Sequence, residues 1–341
     1  MKYDNRRKVI MDVDTGTDDA MALICALMSQ ELDIIGVCTV NGNREVKLTT
    51  ENTLRVLQLL NSHVPVYKGC EYPIVATLDP ARRPGIPKRE NKNEDPNARH
   101  IHGDYLALPP STWCKAQDLN AVTYYVQTLR NTKEKITLLP IGPLTNLALA
   151  MRCDERICEN IEEIVFMGGT FREYDADTGL CEWNVWIDPE SVEIVMSYAA
   201  RHNIKVTWVP LDATHKVAMS ADHAKQMRQI GSPAANAMAS FIEKRIGGYS
   251  NDTQMQKSAS APVHDVLAVI ALTNPNVLQN VTPVHVQVGC GRGICDGMTY
   301  LDMRQTEDKP APNCHFAMGA DKDLFCNTVM DILKNNTVYS K

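Results

Sequence analysis

A chain of 341 residues is long enough to bury a substantial core, as one large domain or two. With 44% hydrophobic and 22% charged residues it has the composition of an ordinary soluble globular protein, and a formal net charge of -6 supplies no basic field for holding nucleic acid. No apolar stretch nears the roughly 20 residues that span a bilayer, and the opening MKYDNRRKVIMDVD runs from a charged stub straight into a strand, so neither a membrane partner nor a secretory signal is expected. Eleven cysteines, scattered singly and without a CxxC pair, read as reduced thiols of a cytoplasmic protein, mostly buried as small hydrophobes.

Short apolar runs alternate with longer helical patterns. Lys8 to Val13 predicts a strand, Asp19 to Ser29 a helix, Leu32 to Val40 a strand, and about Glu45 to Leu60 a helix. Val64 to Lys68 is short, and a polar, proline-rich excursion over 71–111 reads as a lid. The rhythm resumes with a helix near Leu119 to Asn131, a strand at Lys135 to Ile141, a helix at Leu144 to Met151 and a strand at Glu163 to Met167. Pro189 opens a helix to about Ala200, where its missing N–H costs nothing, and Ile204 to Pro210 is the next strand. An apolar helix follows at Pro262 to Leu272, then strands at Val284 to Val288, Met298 to Met303 and His315 to Met318, and a last helix from Asp323. This spacing implies right-handed βαβ crossovers: an α/β fold with an open, mainly parallel sheet flanked by helices, added C-terminal helices and strands, and one domain over 1–341.

The segment Asp12-Val13-Asp14-Thr15-Gly16-Thr17-Asp18-Asp19 places four carboxylates in eight residues. It follows the first strand and opens a helix, so it lies at the carboxyl end of the sheet, where α/β proteins bind ligands. Gly16 is expected to permit a tight turn. Asp and Thr are good helix caps, but four carboxylates in one turn repel each other unless a cation neutralises them. Carboxylate oxygens are hard ligands, suited to magnesium or calcium rather than zinc. Further strand ends carry Asn41-Gly42-Asn43, Pro140-Ile141-Gly142 and Met167-Gly168-Gly169, the last followed by Glu182-Trp183-Asn184, and Val263-His264-Asp265 opens the later apolar helix. A His-Asp pair seen alone is more often helix capping than chemistry; the set together is not.

In chain order, DVDTGTDDA, TVNGN, IHGD, LPIGPLTNLALA, VFMGG, EWNVWIDPE and VHDVLAV resemble the motifs of the inosine-uridine-type nucleoside hydrolases, from about residue 9 to 270. The resemblance implies calcium-dependent hydrolysis of the N-glycosidic bond of ribonucleosides, uridine and/or inosine, in nucleoside salvage or catabolism. It implies that Asp14, Asp19, the backbone carbonyl of Ile141 and Asp265 hold one calcium ion, with Asp14 also the general base on the attacking water. Where the family often has threonine this chain has Ile141, a harmless change because only the carbonyl is used. Asp18, Asn43, Glu182 and Asn184 would grip the ribose, with Asp265 sharing in the substrate contacts and Met167 beneath the sugar. His102 and His264 would lie near the base, His264 being the first candidate for the acid that protonates it. The family also implies a homodimer or homotetramer.

The chemistry accounts for these residue types. Breaking an N-ribosidic bond builds positive charge on the ribose, which surrounding carboxylates stabilise, while histidine is readily poised to protonate the departing base. This sequence departs from the family between Gly169 and Glu182, where Asp175, Ala176 and Asp177 offer no counterpart of a ribose-binding asparagine. It departs again before His264, where Phe241 to Gln256 offers Tyr249 in place of two tyrosines. Trp183 and Trp186 read as packing residues. Two rival readings remain. A haloacid-dehalogenase-type phosphatase would use Asp12 as nucleophile and Asp14 as acid/base, but leaves Asp18, Asp19, EWN and VHD without a part. A non-enzymatic ribose or nucleoside-binding protein would need ribose contacts but no metal.

Overall fold

The computed structural model describes residues 6–75, 78–79, 102–175, 178–248 and 259–335. At its centre is β1 (Arg7–Val13), flanked on one side by β2 (Leu32–Thr39) and on the other by β5 (Ile136–Pro140). Beyond β2 lie β3 (Val66–Lys68) and the two-residue β4 (Ala116–Gln117); beyond β5 lie β6 (Ile161–Met167) and β7 (Lys205–Val209). These seven strands are parallel. The chain leaves β1 towards β2 yet returns later on its other side as β5. The carboxyl end of β1 is therefore a topological switch point, where diverging connections leave a crevice.

Strand periodicity divides the core. Val9, Met11 and Val13 face one layer, formed by α1 (Thr17–Met28), α2 (Val46–Leu59), and three helices from the later chain: α9 (Pro233–Gly248), α10 (His264–Thr273) and α11 (Lys322–Asn335). Ile10 faces the opposite layer, with α3 (Ala121–Asn131), α4 (Thr145–Cys153) and α6 (Pro189–Arg201). Helix α1 is buried along its whole length, consistent with the run AMALICALM, and packs on α10, which is equally apolar. No helix among the described residues is long and apolar enough to cross a membrane.

The later chain adds an antiparallel edge. Strand β10 (Leu278–Val288) pairs antiparallel with both β11 (Thr299–Asp302) and β12 (Cys314–Ala320), and β12 joins the main sheet parallel to β7. Several boundaries differ from the sequence reading. The helix expected from Pro262 begins at His264, because Ser260–Pro262 (β9) pairs with Ala218–Ser220 (β8) in a small antiparallel ladder. Strand β10 starts six residues before Val284, its exposed first half held by the ladder to β12. The short helix α5 (Trp183–Ile187) falls within a motif read as loop.

Of the excursion expected over 71–111, residues 76–77 and 80–101 lie outside the described residues. Its return arm is fastened to α2. The Asn52 amide donates to the carbonyls of Thr15 and Asp104 and accepts from Leu106 N, while Arg55 donates to the carbonyls of Leu106 and Leu108.

Phe325 tests the layer over α1. Its ring is fully buried in the cluster that also holds α1 and α10. Phe325→Ala should lower unfolding stability by about 3–5 kcal/mol, read as a shifted urea midpoint. A change below about 1 kcal/mol would mean that this layer contributes little.

Candidate active site

Side-chain alternation along β1 separates the first two aspartates. Asp12 points into the α3–α4 layer, where its carboxylate accepts hydrogen bonds from Asn146 Nδ2 at 2.9 Å and Tyr125 Oη at 3.2 Å. Burial pushes its pKa up to about 7 against both bonds. The same Asn146 amide donates to Thr39 O at 3.0 Å and accepts from Cys70 N at 2.8 Å, so it joins the ends of β1, β2 and the turn after β3. Asp12 is thus enclosed in structure rather than presented as a nucleophile, which removes the residue a phosphatase would need.

Past Val13 the chain turns into the crevice. Asn43 N donates to Asp14 Oδ2 at 2.6 Å, while the buried Asp14 Oδ1 has no hydrogen-bond partner among the described residues. A Cβ at Gly42 would lie 2.1 Å from Asp14 Oδ2, so only glycine lets this loop approach the carboxylate. Gly16 has a similar role rather than the tight turn expected of it. Its φ of -98° suits any residue, but a Cβ there would lie 2.1 Å from His102 Nδ1. Asp19 reaches back from the first turn of α1 to accept from Gly16 N at 2.9 Å and Asp14 N at 3.1 Å, and it also accepts from Asn43 Nδ2 at 3.2 Å. Capping and site-building are therefore the same act for Asp19.

Asp265, in the first turn of α10, comes to the same place. Carboxylate oxygens of Asp18, Asp19 and Asp265 lie within 4.8 Å of one another, and all three residues are buried. This trio contains Asp18, where the sequence reading had Asp14, and Asp14 borders it through Asp19. Burial, then the charge of Asp19, drives the Asp14 carboxyl well above its usual range. Burial and the neighbouring aspartates do the same to Asp265, and burial with Asp18 pushes Asp19 to about 6. Asp18 moves the other way: burial opposes its charge, but Arg245, His102 and His264 hold it below the usual value. The Arg245 guanidinium lies 2.9 Å from Asp18 and is itself 1% exposed. Among the described residues Arg245 is the cation ion-paired within this group of four carboxylates, which outnumber it, and their donors are hard oxygens. The residues present fit a calcium- or magnesium-class ion.

The ribose-side candidates cluster beside it. Glu182 caps α5 by accepting from Asn184 N at 2.9 Å and Val185 N at 3.2 Å, and it also accepts from Gly169 N at 2.8 Å; burial raises its pKa to about 8. Asn184 Nδ2 donates to the carbonyls of Ile141 at 2.8 Å and Met167 at 3.1 Å, which ties the ends of β5 and β6 together. Trp183 and Trp186 pack on each other, ring centroids 5.3 Å apart.

On the remaining side stand the histidines. His102 Nδ1 accepts from Thr17 N at 3.1 Å and lies 3.9 Å from Asp18, while its carbonyl is bound by Arg44. His264 is partly buried, and desolvation, then Arg245, presses its pKa well below the normal imidazole range. The sequence reading missed Arg245, Asp212, Thr214 and His215. Arg245 lies in the last turn of α9, far from any strand end, but Leu211-Asp212-Ala213-Thr214-His215 follows a parallel strand and stood in view by the same strand-end rule. Tyr249, Ala176 and Asp177 lie outside the described residues.

The sequence matches, over residues 9–327, the family described as inosine-uridine preferring nucleoside hydrolase. It is 30% identical over 335 residues to the pyrimidine-specific ribonucleoside hydrolase RihB of Escherichia coli O157:H7, covering 96% of this chain and 97% of the relative. A purine-preferring ribonucleoside hydrolase from Gardnerella vaginalis superposes with a TM-score of 0.79 at 27% identity, over 96% of this chain and 99% of that one. A plant nucleoside hydrolase shares the fold with a TM-score of 0.79 at 23% identity, with the same coverage. With the match running nearly end to end, the chain belongs to the inosine-uridine preferring nucleoside hydrolase family and is a hydrolase acting on N-glycosyl bonds.

Proposed function

We propose that the protein hydrolyses ribonucleosides, uridine and/or inosine, to ribose and free base in a calcium-dependent reaction of nucleoside salvage or catabolism. The observation that carries this reading is the convergence of Asp14, Asp18, Asp19 and Asp265 with two histidines in one crevice. Asp14, Asp19, Asp265 and the Ile141 carbonyl would hold the ion. The carbonyl has a second lone pair beside the one taken by Asn184. When bound, calcium supplies positive charge and oxygen coordination that orient water and the ribose hydroxyls.

The protein's own groups do the rest. Asp18, Asn43, Glu182 and Asn184 grip the ribose, Asp265 shares in the substrate contacts, and Met167 lies beneath the sugar. Their negative charge stabilises the oxocarbenium-like sugar as the C–N bond breaks and its electron pair leaves with the base. A water oxygen bonds to the anomeric carbon, and its proton passes to Asp14. His264, with His102 nearby, faces the base. As the C–N bond breaks, the departing base takes the bond's electron pair and a proton from His264, whose charged form burial and Arg245 disfavour and which regains a proton from solvent. RihB is pyrimidine-specific by name and the Gardnerella enzyme purine-preferring, so the base-side residues are where preference within this family would be set. A cytoplasmic homodimer or homotetramer completes the reading.

The metal is tested by a base-release assay across uridine, inosine, cytidine, adenosine and guanosine. Dialysis against EDTA should abolish turnover and added calcium restore it; turnover that survives chelation would remove the metal from the reaction. Asp14→Asn should fold yet lose about 10²–10⁴-fold in kcat, the usual cost of a missing general base. Near-normal turnover at saturating calcium is incompatible with that role.

His264 is tested by leaving group. His264→Ala should slow natural nucleosides by about 10²–10⁴-fold but spare p-nitrophenyl riboside, whose leaving group needs no proton. Equal losses on both substrates would indicate a distorted site. A loss of only a few-fold on natural nucleosides would move the acid to His102 or solvent.

A further inference from the structure

One turn of chain after β7 reaches both His264 and the loop that follows β6. Helix α7 (Leu211–Thr214) starts there, and its polar side chains all cross to other elements. Asp212 accepts from Phe171 N at 2.8 Å and Arg172 N at 2.9 Å, with Thr170 Oγ1 at 3.4 Å, and so holds the loop that follows β6. Thr214, fully buried, places Oγ1 2.7 Å from His264 Nδ1. The next residue, His215, packs its ring against His264 with centroids 5.6 Å apart, and its Nδ1 lies 3.4 Å from Glu173 in the same loop. Lys216 pairs with the other Glu173 oxygen at 2.7 Å.

We propose that Thr214 is a positioning residue for His264, fixing the orientation of its ring by engaging Nδ1, with α7 joining that ring to the 170–173 loop. The inference rests on the nucleoside hydrolase reading and extends it to the residue that governs how the base-facing histidine is presented. The two imidazole nitrogens are distinct, and the hydrogen bond made at one sets the protonation of the other. With Nδ1 engaged by Thr214, the ring's orientation is set from that edge. The bond is short, its threonine end is fully buried, and Thr214 N is anchored to Pro210 O at 3.0 Å, so the hydroxyl has a fixed origin. Removing the hydroxyl takes from Nδ1 the partner that holds the ring in this orientation. No cleavage step is assigned to Thr214.

The test uses Thr214→Val, close in shape but without the hydroxyl, and Thr214→Ser, which keeps it. Thr214→Val should lower kcat on natural nucleosides by about 10–100-fold, the typical cost of losing a partner that orients a functional histidine. KM and turnover of p-nitrophenyl riboside should stay within about 2-fold, and Thr214→Ser should restore most of kcat. Long-range 1H–15N spectra of histidine-labelled protein provide a readout independent of turnover. His264 should show the same ring nitrogen shifts in the wild type and in Thr214→Ser, and a displaced or split pattern in Thr214→Val. Equal losses on both substrates, no loss on either, or unchanged His264 nitrogen shifts in Thr214→Val would overturn the proposal. Failure of the wild type to release base from any of the five nucleosides would instead defeat the hydrolase reading, and the nitrogen shifts would still decide whether Thr214 holds the ring.

Discussion

The governing constraint is the repulsion among carboxylates that the fold buries side by side. Asp14, Asp18, Asp19 and Asp265 come from the end of β1, the first turn of α1 and the first turn of α10, and each is at most 5% exposed. Burying unpaired charge is among the most costly things a fold can do. The surroundings answer in three ways. Helix N-termini and backbone amides of Gly16, Asp14 and Asn43 point at the oxygens, Arg245 neutralises Asp18, and the remaining negative charge fits a hard cation. The glycines at 16 and 42 follow from the same demand, since His102 and Asp14 occupy the space a side chain would take.

This arrangement explains why the layers are built as they are. Helix α1 must deliver two charged residues at its tip, so the rest of it is anchored by an apolar surface buried from end to end. Helix α10 has the same composition: Asp265 near its start, then an unbroken apolar run. Their mutual packing sets the distance between Asp19 and Asp265 more firmly than any loop could. The chemistry sits on the ends of rigid elements, as precise positioning requires.

Much of this was legible in the sequence because the site follows a positional rule. A parallel sheet gathers its strand ends, so the residues just after Val13, Thr39, Pro140 and Met167, Asp14 and Asn41 among them, had to share one edge. Illegible features were those set by long-range pairing. The 2.9 Å pair between Asp18 and Arg245 joins residues 227 positions apart, and nothing near Arg245 marks it as a partner. The contact between Thr214 and His264 spans 50 residues and depends on how α7 and α10 meet. Short elements were lost for a different reason: β8, β9 and α5 have three to five residues each, too few to show a period. Asp12 was ambiguous in sequence beside Asp14, and only the alternation of β1 against the two layers separates a structural aspartate from its neighbour in the site.

The Asn146 amide carries one more implication. It touches Asp12 on β1, the last carbonyl of β2 and the backbone of Cys70 beyond β3, all from the first turn of α4. The spacing between the ends of β1 and β2 and the turn after β3 is therefore spanned by a single carboxamide, a caliper fixed by its own bond lengths. Surface loops above the sheet are then at liberty to diverge in length and composition while the gauge beneath them is kept.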